Sequence, residues 1–132
     1  MTIHWLETER ILPPLHYYTL VTTERQFRKA MKHLGIAYPP PWVNVGSEAT
    51  THFLEAGNRQ AAVVAIRLAR PRMLSEVVGL LAHEAVHIAQ EYFADIGERL
   101  PSPEFQAYVT QWITSELVLA YDKRRFGRVV SP

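Results

Sequence analysis

At 132 residues, with 48% apolar and 20% charged side chains, the chain has the composition of one soluble globular domain. A net charge of +1 gives no overall electrostatic reason to bind nucleic acid, and the absence of cysteine removes disulfides, thiolate ligands and thiol nucleophiles. Residues 1–7 lack a basic start followed by an apolar core, and no apolar run reaches membrane-spanning length, so a cytoplasmic protein without a membrane partner is expected.

Taken in order, residues 1–15 are mixed and end in Pro13-Pro14, which forbid a helix there. His16-Tyr17-Tyr18-Thr19-Leu20-Val21 is aromatic and β-branched and predicts a short strand. Thr23 with Gln26 three residues on predicts a capping box. The apolar spacing of Phe27, Ala30, Met31 and Leu34 then predicts an amphipathic helix closed by Gly35. Its other face carries Arg25, Arg28, Lys29 and Lys32, which is read as a solvated face. Tyr38-Pro39-Pro40-Pro41-Trp42 predicts a stiff connector covering the core.

Residues 50–55 and 62–68 read as two strands turning at Gly57-Asn58. With the first strand they predict a small, three-stranded, mostly antiparallel sheet. His52 reads as an ordinary strand residue. Beyond Pro71 a helix from about Met73 to Ile96 is expected, apolar nearly all round and therefore central and buried. Gly79 costs that helix about 1 kcal/mol relative to alanine. A crowded cleft floor or close helix–strand packing would account for it. Ser102-Pro103-Glu104 opens a last helix, expected to fold back antiparallel on the one before. The expected class is α+β, one domain over residues 1–132 with a basic tail at 123–132.

The informative stretch lies in the long helix. His83-Glu84-Ala85-Val86-His87 is an HExxH pattern, which shuffling a chain of this composition produces roughly 0.02 times. Residues four apart share a helix face, so His83 and His87 can aim two imidazoles at one metal ion. Glu84 lies about 100° round the helix, where a general base for a metal-activated water belongs. Burying these three groups without partners would be costly, and a metal removes that cost.

Catalytic zinc generally takes three protein ligands. Glu91 lies two turns from His83, roughly 12 Å in rise, and Asp95 lies farther. Glu104, in the first turn of the returning helix, is the preferred third ligand, with Glu98 as its competitor. A dipole-favoured capping acid is the ordinary reading of Glu104. Tyr108, one turn after Glu104, could stabilise an oxyanion; packing is its ordinary role. Gln111 and Ser115 share that face as possible supports for the ligands.

His83-Glu84-Ala85-Val86-His87 followed by Glu104-Phe105-Gln106-Ala107-Tyr108 resembles the zincin metallopeptidases of the gluzincin type, in minimal form, over residues 49–122. The longer HExxHxxGxxH pattern is absent, since Gln90 and Phe93 stand at its glycine and third histidine. The HEAVH-Q arrangement is also similar to small phage and prophage proteins. The resemblance implies zinc held by His83, His87 and Glu104, Glu84 as the base, and a peptide or protein substrate. It also implies that strand 62–68 is a sheet edge to which a peptide adds. A zinc peptidase, possessing an open metal position, is the main expectation. A non-catalytic zinc-stabilised adaptor or assembly module is the alternative. Association with nucleic acid through the basic helix and tail is the third reading.

Overall fold

The structure is a computed structural model and describes residues 2–3, 5–6, 17–57, 59–68 and 72–126. It is α+β and forms two compact units, Met1–Arg72 and Met73–Pro132.

The first unit is a mixed sheet with one helix. Strands β1 (Trp5–Leu6), β2 (Tyr17–Val21), β3 (Ala49–Ala56) and β4 (Arg59–Ile66) lie in the order β1-β2-β4-β3. The β3–β4 hairpin is antiparallel, as expected, with His52 opposite Val63. β2, however, joins β4 in parallel, with Thr19 opposite Val63. The chain therefore leaves the end of β2 and begins β3 at that same end of the sheet. Helix α1 (Glu24–Leu34) and the connector 36–48 make this round trip. Parallel neighbours require such a crossover.

One consequence corrects the sequence reading. β4 is paired on both sides, so it is not an edge strand; β1 and β3 are the edges among the described residues. Residues 61–66 of β4, Ala-Ala-Val-Val-Ala-Ile, are buried without alternation, the signature of a strand covered on both faces. The two-residue β1 has no signal in the sequence pattern. His16, Asn58 and the residues after Phe126, including the end of the basic tail, lie outside the described residues.

Helix α1 begins and ends as its sequence dictates. The Thr23 hydroxyl accepts the Gln26 N–H at 3.1 Å. The Gln26 side chain closes the cap one residue earlier than expected, its Oε1 accepting the Thr22 N–H at 2.7 Å. Gly35 adopts φ 73°, the left-handed ending that glycine tolerates best. Phe27, Ala30 and Met31 pack with Val21, Val63 and Ala65, and Trp42 and Val43 of the connector join this cluster. The proline-rich connector thus covers the core. His52 is a core residue: it contacts the Phe27 ring, and its Nε2 lies 2.8 Å from the Trp42 carbonyl oxygen. Arg25, Arg28, Lys29 and Lys32 are exposed.

The second unit is a pair of packed helices, α2 (Leu74–Asp95) and α3 (Pro103–Phe126). α2 is not buried all round. Val77, Leu81, Ala85, Ile88, Ala89, Tyr92 and Phe93 form its buried face, whereas Gly79, His83, Val86, His87 and Gln90 are exposed. A methyl group at Gly79 would meet nothing within 4 Å among the described residues, so neither a crowded floor nor close packing there explains that glycine. Val109, Ile113, Leu117, Ala120 and Tyr121 are buried on α3. Tyr108, whose ordinary role would be packing, is 65% exposed.

Tyr92 carries a test of this packing. Its ring is buried, its hydroxyl has no hydrogen-bond partner among the described residues, and desolvation raises its pKa above 10.0. Below pH 10 both folded and unfolded chains keep this proton. Above pH 10 the unfolded chain loses it first, so unfolding becomes easier as pH rises. Tyr92→Phe should leave the fold intact and match or exceed the parent's stability at pH 8 by up to about 1 kcal/mol. In urea unfolding at pH 11 its advantage should grow.

Candidate metal centre

The site rests on α2 geometry. With 3.6 residues per turn, positions 83 and 87 stack on the exposed side. Their imidazoles meet edge to face, with ring centroids 4.9 Å apart and planes at 74°. The two Nε2 atoms are 3.2 Å apart. Two nitrogens bound at about 2.0–2.1 Å to one tetrahedral zinc stand about 3.3–3.4 Å apart, so the pair fits a shared first-row ion. One neutral imidazole donating to the other would also give this separation.

Glu84 differs from both histidines in being 4% exposed. It lies toward the buried side of α2, yet one carboxylate oxygen falls within 4.8 Å of a nitrogen on each histidine. A buried carboxylate is stable as an anion only with compensating cations or hydrogen bonds. His83, Glu84 and His87 are the one group of three or more His, Asp or Glu side chains among the described residues that could hold a metal ion.

The other predicted residues lie elsewhere. Glu104 is exposed in the first turn of α3 and does not belong to this group. The Phe93 and Phe105 rings touch, with centroids 5.3 Å apart, which sets the start of α3 beside the end of α2. Phe93 is six residues past His87, about 9 Å along the helix. Glu98 is exposed in the turn between the helices, and Gln111 and Ser115 are exposed on α3.

One feature of the site face had no signal in the sequence. Beyond His87 the exposed stripe continues through Gln90 and Ala94 into a depression at the α2–α3 turn. Only the fold of that turn makes it concave.

Comparison with protein-family models, with curated proteins and with solved structures finds no match to this chain. Among the described residues no helix is long and apolar enough to cross a membrane.

Because His83 and His87 are exposed, their loss should not unfold the protein. His83→Ala and His87→Ala should each keep the metal-free stability within about 0.5 kcal/mol of the parent. A metal held by this pair should raise the parent's melting temperature through linkage, and each variant should abolish that rise. Thermal melts with and without zinc, beside competition with a chromophoric chelator, measure both.

Proposed function

We propose that this protein is a zinc-dependent peptidase in which His83 and His87 hold the ion and Glu84 is the general base. The reading is carried by one observation: two Nε2 atoms 3.2 Å apart on HExxH spacing, with the Glu84 carboxylate beside both. Imidazole pairs with a neighbouring carboxylate suit zinc among the available first-row metals. When bound, zinc supplies Lewis acidity that lowers the pKa of water toward 7 and polarises a peptide carbonyl.

The chain's own groups do the rest. His83 and His87 fix the reaction centre on the exposed side of α2, where a peptide can approach. Glu84 accepts a proton from the attacking water and delivers it to the leaving amine. Its burial on a rigid helix restricts the carboxylate to few rotamers, so the proton acceptor is held in place before substrate arrives. Glu104 completes the ligand set in this reading only if α3 closes the axial gap to His87. Tyr108, exposed one turn further on, would then be available to an oxyanion.

A second reading uses the same three donors. If Glu84 binds the ion directly, the site is a staple in a non-catalytic module. Glu84→Gln separates the two. For the peptidase, that variant should bind zinc as the parent does and lose about 10²-fold or more in peptide cleavage. For the staple, it should lose zinc affinity instead. Zinc titration and hydrolysis of a quenched fluorescent peptide library, run on one preparation, decide between them.

A further inference from the structure

We propose that the depression at the α2–α3 turn receives a bulky apolar side chain of a peptide lying along the histidine stripe. This assignment rests on the peptidase reading and names a specificity pocket for it. The argument starts from spacing. His83, His87, Gln90 and Ala94 fall at i, i+4, i+7 and i+11, one continuous face of α2. Gln90 and Ala94 are themselves walls of the depression. They lie about 4.5 and 10 Å along the axis from His87. An extended peptide advances about 3.3 Å per residue, so a side chain one to three residues from the cleaved bond reaches the depression.

The lining selects the class of side chain. Phe93, Ala94, Leu100 and Pro101 give apolar surface, and Glu98 and Arg99 are exposed beside them. The volume is about 670 Å³, more open to solvent than enclosed, with room for a phenylalanine or leucine side chain to lie against the lining. Leu100 is 92% exposed, so an apolar guest would cover surface that now faces water.

The pocket is also built rather than incidental. Gly97 at φ 76° lets the chain reverse after α2. The Glu98 N–H then donates to the Phe93 carbonyl at 2.8 Å, and the Gly97 N–H donates to the Ala94 carbonyl at 3.2 Å. This pattern locks the end of a helix. On the other side the Ser102 hydroxyl accepts the Phe105 N–H at 3.2 Å, and Gln106 Nε2 donates to the Pro101 carbonyl at 2.9 Å. A turn fixed at both ends loses little entropy on binding.

The test uses acetyl-phenylalanine amide and acetyl-alanine amide as probes, titrated into the ¹⁵N-labelled full chain without metal. The phenylalanine probe should shift the amides of residues 97–100 and the Gln106 side chain, and bind at least about tenfold tighter than the alanine probe. Ala94→Trp, which fills the depression from an exposed helix position, should reduce that binding by about tenfold or more, and Leu100→Ala should weaken it. Zinc affinity should be unchanged in both variants. Equal shifts from the two probes, or parent-like binding by both variants, overturn the pocket. Leu100→Ala keeps the test decisive if the tryptophan variant fails to fold. Zinc binding and cleavage are scored separately: a pocket that binds in a protein without either sinks the peptidase reading alone. Cleavage without probe binding sinks the pocket alone.

Discussion

Two imidazole nitrogens 3.2 Å apart on the water-facing side of a helix are the constraint on which the candidate site depends. Their closeness is not an accident of packing, because both side chains are exposed. It comes from the helical repeat, which stacks the two side chains, and from ring orientations that turn the two Nε2 atoms toward each other. What packing adds is Glu84, anchored on the buried side of the same turn. The site therefore joins two kinds of control. The backbone sets the spacing of the nitrogens, and burial sets the orientation of the carboxylate. A metal ion needs the first, and proton transfer needs the second.

The helix can play this part because its apolar residues form one face rather than a sheath. Sequence suggested otherwise, since alanines and valines surround α2 almost completely. Half-buried Ala82 and exposed Ala94 and Gly79 meet solvent at little cost, and Val86 is 40% exposed. An apolar letter is weak evidence of burial when the side chain is small.

Much of the rest was legible for identifiable reasons. The Thr23 cap, the Gly35 ending and the Ser102 start are local chemistry, written in neighbouring residues. The β3–β4 hairpin is local too. The order of the strands is not: the insertion of β4 between β2 and β3 depends on partners about forty residues apart, and no short pattern encodes it. The same limit applies to the site. His83, Glu84 and His87 lie within one turn and could be read directly. Glu104 was inferred from an expected hairpin between distant turns, and it is exposed at the start of α3, outside the group formed by His83, Glu84 and His87. The depression beside Gln90 arises from the turn's conformation, which residue types alone do not disclose.

The parallel pairing of β2 with β4 bears on how the chain reaches its native state. The first unit must close a loop that includes α1, the connector and a whole hairpin before its central ladder gains a single bond. The α2–α3 pair needs only a seven-residue turn. Loop closure costs conformational entropy before any contact rewards it, and chains dominated by distant pairings fold more slowly than helical hairpins. The α2–α3 pair is thus expected to form first, and threading the central strand into its sheet is expected to limit the folding rate.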